Sequence, residues 1–108
     1  MGGIIIGYEI GKLLGKETIF CERVNKKFEL RRGFSIKKNS RVLIVEECRK
    51  SGSYGEGLLS DLQVASKSSL KIKLHAAQDS FIPIGEGATS TLPNKDSIVK
   101  IAQELYNE

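Results

Sequence analysis

RVLIVEECRKSGSYGEGLL, Arg41 to Leu59, is the stretch that decides the fold. Val42, Leu43, Ile44 and Val45 form an apolar run of strand type, and the run ends on two carboxylates, Glu46 and Glu47. Lys50, Ser51, Gly52 and Ser53 make a small-residue turn, and a helical pattern follows. Open α/β sheets bind ligands beyond the carboxyl ends of their strands, where helix N-termini offer unpaired N–H groups. This corner is therefore the first place to expect an anion.

Upstream, Ile4, Ile5, Ile6, Tyr8, Ile10, Leu13 and Leu14 recur at helical spacing, opened by Gly2 and Gly3 and closed by Gly15. Gly7 and Gly11 lie four apart on one face. An interior glycine costs about 1 kcal/mol against alanine, so close packing on a sheet is the expected return. Residues 17–23 read as a buried strand and residues 27–36 as a more polar extended segment, joined by a turn near Asn25. Downstream, residues 53–65 read as a helix with Leu58, Leu59, Leu62 and Ala65 on one side, capped by Ser51 or Ser53. Leu70, Ile72 and Leu74 alternate with Lys71, Lys73 and His75, the pattern of a half-exposed strand near an edge. Residues 76–93 read as a loop anchored by Phe81, Ile82, Pro83 and Ile84. Asn94 caps a last helix over 95–107, with Ile98, Val99, Ile101, Ala102 and Leu105 inward.

These elements predict an α/β fold: a small three-layer sandwich, Rossmann-like, with a mostly parallel sheet and a hairpin excursion at about residues 24–36. The 108 residues make one domain. No apolar run approaches membrane-spanning length, and the N-terminus lacks the pattern of a signal peptide, so a cytoplasmic protein with reduced thiols at Cys21 and Cys48 is expected. The two cysteines have no metal spacing. Charge is uneven. Residues 1–50 hold 12 Lys and Arg against 6 acids, a net +6, and residues 51–108 hold 5 against 7, a net −2. With no Trp and few aromatic residues there is no stacking platform, so nucleic acid is not an expected partner.

Residues 1–47 resemble orotate phosphoribosyltransferases. MGGIIIGYEIGKLLG is similar to that family's glycine-started helix, IFCERVNKKFELRRGF to its strand, turn and second strand, and RVLIVEE to the strand carrying its phosphoribosyl pyrophosphate motif. In the family the strand ends in Glu-Asp followed by Val-Val-Thr-Thr-Gly-Gly-Ser. The resemblance implies that Glu46 and Glu47 meet ribose hydroxyls or magnesium, that Ser51 and Gly52 form part of a phosphate loop, and that Arg31 and Arg32 neutralise pyrophosphate. The departures are Cys48, Arg49 and Lys50 in place of Val-Val-Thr, and Ser53 and Tyr54 in place of the last Gly and Ser. The family's N-terminal hood and the strand expected before Met1 are not in the sequence.

Residues 41–108 resemble a different family. EECRKSGSYGEGLLSDL and FIPIGEGATSTLPNKDSIVKIAQEL are similar to the C-terminal, transketolase-like domain of thiamine diphosphate-dependent 2-oxo acid dehydrogenases. The resemblance implies a domain that binds no thiamine diphosphate and serves dimer formation or docking of an acyltransferase. Together the two resemblances imply a recombined chain, 1–47 from one ancestry and 48–108 from another, joined at a shared strand-to-helix corner.

The expected function is a recombined or designed α/β scaffold without a complete active site, with a phosphate or sulfate at the turn formed by Arg49, Lys50, Ser51, Gly52, Ser53 and Tyr54. One alternative is residual phosphoribosyl pyrophosphate binding through Glu46 and Glu47, with magnesium as the only implied cofactor. Another is a homodimerisation or partner-docking module. No residue is assigned a catalytic role and no metal site is expected. His75 has no neighbouring nucleophile in the sequence, and Cys48, beside Arg49 and Lys50, is expected to have a depressed thiol pKa.

Overall fold

The computed structural model describes residues 2–67, 69–81 and 84–108. Helix α1 (Gly2–Leu14) is followed by strands β1 (Cys21–Val24) and β2 (Lys27–Leu30), strand β3 (Arg41–Arg49) and helix α2 (Tyr54–Ala65). Strand β4 (Lys71–Ala77), a 3₁₀ turn (Gly85–Thr89) and helix α3 (Lys95–Asn107) complete the chain. The helical expectations hold closely. Asn94 caps α3 through a reciprocal pair with Ser97, and Ser53 caps α2.

β3 and β4 pair in parallel, with Val42 opposite Ile72, Ile44 opposite Leu74 and Val45 opposite His75. Side chains of paired residues share a face. The even-numbered face carries α2: Gly55 lies against Leu74 and Glu46. The odd-numbered face carries α3, where the His75 Nε2 and Ser97 Oγ are 2.8 Å apart and Lys73 Nζ meets Glu104 and Glu108. α1 packs on β3 and α3 on that same side. The result is the expected three layers. Ile98 and Leu105 of α3 and Ala77 of β4 are the most deeply buried apolar side chains.

Three details differ from the sequence reading. First, residues 17–20 are not strand, and β1 joins β2 in a separate antiparallel hairpin, so among the described residues the parallel sheet has two strands. Asn25 and Lys26 both adopt positive φ (49° and 66°), the twist of a tight two-residue hairpin turn. Arg32 and Gly33 repeat this (57° and 77°), closed by Phe34 N–H donating to the Arg31 carbonyl at 3.0 Å. That second reversal ends β2 six residues before the predicted limit. Second, the Lys73 and His75 side of β4 is covered by α3 rather than open, because α3 supplies carboxylates and a hydroxyl that pair with them. Third, Phe81 and Ile84 are fully exposed and anchor nothing; Ile82 and Pro83 lie outside the described residues.

Gly7 and Gly11 do allow a close approach, but to the chain after α1 rather than to a sheet. Thr18 Oγ1 donates to the Gly7 carbonyl at 2.9 Å. A Cβ on Gly11 would sit 1.9 Å from Thr18 Oγ1 and 2.8 Å from the Lys16 carbonyl oxygen. Beside this contact, a cleft of about 900 Å³ opens between α1, the segments 16–19 and 35–37, β3 and α3.

Two alanine substitutions separate backbone propensity from packing. Gly11→Ala is expected to lower stability by about 1–3 kcal/mol, because overpacking against Thr18 and Lys16 outweighs the gain in helix propensity. Gly57→Ala, in α2 with nothing within 4 Å of the new methyl, is expected to raise it by about 0.5–1 kcal/mol. Urea unfolding followed by circular dichroism measures both.

Candidate functional site

The corner from β3 into α2 is built by a disruption of the strand ladder. Glu46 pairs with Ala76 and Arg49 with Ala77, so Glu47 and Cys48 are extra residues on the β3 side. A bulge of this kind bends the strand and re-aims its side chains. Glu46 turns inward and is half-buried, whereas Glu47 is exposed. Lys50 N–H donates to the Ala77 carbonyl at 3.1 Å and closes the ladder. Gly52 then takes φ +70°, a conformation that favours glycine, and Ser53 starts α2 with its Oγ accepting from Glu56 N–H at 3.3 Å.

The turn's donors are occupied by the chain's own carboxylates. Asp79, just past the end of β4, accepts from Ser51 N–H at 2.8 Å and from Ser51 Oγ–H at 2.6 Å. Glu56 Oε2 accepts from Gly52 N–H at 2.6 Å. Glu46 Oε2 accepts from Gly55 N–H at 3.2 Å and Oε1 from Cys48 N–H at 3.3 Å. Three carboxylates thus stand where a bound oxyanion would meet Ser51, Gly52 and Gly55. Arg49 and Lys50 flank the turn and are exposed. The Ser51 hydrogen bonds, with help from Arg49 and Lys50, hold the Asp79 carboxyl below the ordinary aspartate pKa.

Tyr54 joins the hairpin to this corner. Its ring meets Phe28 edge-on at 5.5 Å between centroids, the Arg23 guanidinium carbon lies 5.1 Å from the ring centroid, and Arg23 Nη1–H donates to the phenol oxygen at 3.2 Å.

The other sequence candidates fall elsewhere. Arg31 and Arg32 are turned into their own hairpin. Arg32 holds Glu22 Oε1 with Nη2 at 2.8 Å and Nε at 3.0 Å, and Arg31 lies 3.6 Å from Glu22 Oε2. His75 does have a hydroxyl neighbour, Ser97, but that oxygen accepts from Asn94 N–H at 3.0 Å and donates to the Asn94 carbonyl at 3.0 Å as part of the helix cap. The Cys48 thiol is pushed up, not down. The charge of the Glu46 carboxylate is the main cause, followed by desolvation, a hydrogen bond to Glu46 and the charge of Glu47. Burial likewise raises Cys21. Among the described residues, no group of three His, Cys, Asp or Glu is placed to hold a metal ion, and no helix is long and apolar enough to cross a membrane.

Sequence reasoning gave no role to Asp79, Glu56, Arg23 or Phe28. Two of them carried a usable signal. Asp79 follows a strand parallel to β3, and parallel strands deliver their C-terminal residues to the same end of a sheet. Ser53-x-x-Glu56 is a capping-box spacing, although Glu56 reaches Gly52 N–H rather than that of Ser53.

Two measurements test this electrostatic arrangement. A carboxyl with a depressed folded pKa stabilises the fold above the unfolded pKa and loses that contribution as pH falls through the folded pKa. The thermal midpoint of Asp79→Asn is therefore expected to fall below wild type at neutral pH, with the difference closing in strongly acidic solution. For Cys48, iodoacetamide alkylation at pH 8, resolved by peptide mass spectrometry, is expected to be slower than for a free cysteine peptide and faster in Glu46→Gln.

A stretch of 52 residues, 48% of this chain, is 54% identical to an orotate phosphoribosyltransferase from Sphingopyxis alaskensis. Over the same length it is 50% identical to one from Erythrobacter litoralis and 46% identical to one from Helicobacter pylori. The chain covers 26%, 27% and 26% of those three proteins, about a quarter of each. No protein-family model and no solved structure matches the chain. Half of this chain is thus similar in sequence to part of the orotate phosphoribosyltransferases.

Proposed function

We propose that this chain is a non-catalytic α/β scaffold of mixed ancestry, in which a phosphoribosyltransferase-type corner serves as a structural corner with weak residual affinity for phosphate. The observation that carries this reading is the occupation of Ser51, Gly52 and Gly55 N–H groups by Asp79, Glu56 and Glu46. A phosphate entering the turn competes with carboxylates that are covalently tethered and already in place. The negative charge of Asp79 and Glu56 also opposes a dianion, and Arg49 and Lys50 offset that charge only from the exposed side. Arg31 and Arg32, the residues that would neutralise pyrophosphate, are committed to Glu22. The likeness of residues 41–108 to the C-terminal domain of 2-oxo acid dehydrogenases fits this picture. It supplies Cys48, Arg49, Lys50 and the Asp79 side of the corner from a lineage in which that domain has an assembly role.

A second reading is favoured by the 52-residue similarity to orotate phosphoribosyltransferases. It holds that phosphoribosyl pyrophosphate with magnesium still binds through Glu46 and Glu47.

Thermal melts with inorganic phosphate and with magnesium phosphoribosyl pyrophosphate distinguish the two. For a ligand that binds only the folded state, a concentration equal to Kd adds about 0.4 kcal/mol. The scaffold reading expects both ligands at about 10 mM to give small and equal increases in midpoint. A much larger increase with phosphoribosyl pyrophosphate, abolished in Glu46→Gln and accompanied by orotate-dependent consumption of the ligand, would establish the second reading instead.

A further inference from the structure

Positive charge is concentrated in the hairpin and the segment that follows it. Residues 22–41 hold 8 Lys and Arg against 2 Glu, a net +6, so the rest of the chain sums to −2. All of these cations are exposed. Glu22 is taken by Arg31 and Arg32. Among the described residues, Lys26, Lys27, Lys37, Lys38 and Arg41 form no ion pair. The hairpin meets Tyr54 past the C-terminal end of β3, and the segment after it returns to Arg41 at the other end. The cations are therefore spread along the length of a nine-residue strand, about 30 Å. A track of that kind suits a polyanion whose charges are spaced along an extended chain.

An aromatic pair stands at one end of the track. Composition shows no stacking platform, because Phe28 and Tyr54 are far apart in the chain, but the fold brings them together. Phe28 lies directly opposite Arg23 in the hairpin, on the same face. Both meet Tyr54, yet Phe28 is 40% and Tyr54 57% exposed. The two rings meet edge-on rather than stacked, which leaves ring surface open. Glu56, in the same first turn of α2 as Tyr54, disfavours a phosphate or an acidic side chain beside the rings, but not an uncharged base. The occupant must therefore be anionic along the cations and neutral and flat at the rings. An acidic peptide or an anionic membrane matches the cations but offers no base, and a duplex keeps its bases stacked inside. We infer that residues 23–41 together with Tyr54 bind single-stranded nucleic acid, with phosphates along the cations and a base on Phe28 and Tyr54.

The probes are a fluorescein-labelled twelve-nucleotide oligothymidylate and a strand of the same backbone and length made of abasic sites. Each is titrated with the intact chain at about 50 mM salt and followed by anisotropy. Saturable binding is expected, about tenfold tighter for oligothymidylate than for the abasic strand. The logarithm of its affinity is expected to fall with that of salt concentration at a slope of roughly −2 to −4. Phe28→Leu keeps an apolar side chain against Tyr54 but removes a ring, and is expected to cost oligothymidylate about fivefold and the abasic strand nothing. Lys37→Glu combined with Lys38→Glu, at exposed positions outside helix and strand, is expected to weaken both strands about tenfold. No saturation at about 0.5 mM protein, equal affinity for the two strands, or an unchanged preference for bases in Phe28→Leu would overturn the inference. Binding to phosphatidylserine vesicles that oligothymidylate fails to displace would overturn it too, because the track would then belong to a membrane surface.

Discussion

The parallel pairing of β3 with β4 is the constraint on which the rest depends. It delivers the C-terminal ends of both strands to one end of the sheet. Asp79 thereby arrives beside Ser51, 28 positions earlier in the chain, and the turn into α2 is closed by a residue just past the end of the neighbouring strand. It also fixes which face each side chain takes. The same parity that sends Leu74 and Glu46 toward α2 sends Lys73 and His75 toward α3. Without that register, neither the corner nor the packing of α3 would form.

An anion corner and a structural corner differ by what meets the amides. Both need outward-facing N–H groups at a helix start. Here the groups are present and the acceptors are internal. Tethered carboxylates satisfy the donors without the entropy of capturing a free ion, and they carry negative charge into the site. The same exchange explains Cys48. A neighbouring Arg49 and Lys50 would favour the thiolate, but the charge of Glu46 is the leading influence on this thiol and favours the neutral form.

Much of the fold was legible because its signals are local. The helical spacing of Ile98, Ala102 and Leu105, the cap at Asn94 and the aliphatic run of β3 each state their element within a few residues. The extent of β1 and β2 was not legible. It depends on Asn25, Lys26 and Arg32 adopting left-handed backbone, and Lys and Arg carry little preference for it. The corner was located from residues 46–55, but its closure was not, because Asp79 lies in a stretch that reads only as loop. Pairing of Lys73 with the end of α3 was hidden for a related reason: alternation shows which residues share a face, but not which helix will cover it.

The contact of the hairpin with Tyr54 has a spectroscopic consequence. The chain has no Trp and three Tyr, so phenol groups dominate its near-ultraviolet emission. Tyr8 and Tyr106 lie on α1 and α3, while Tyr54 bridges the start of α2 to Arg23 and Phe28 of the hairpin. Its environment changes whenever those two bodies separate. The protein therefore contains an intrinsic optical reporter on the contact between the hairpin and the start of α2, and no label is needed to follow it.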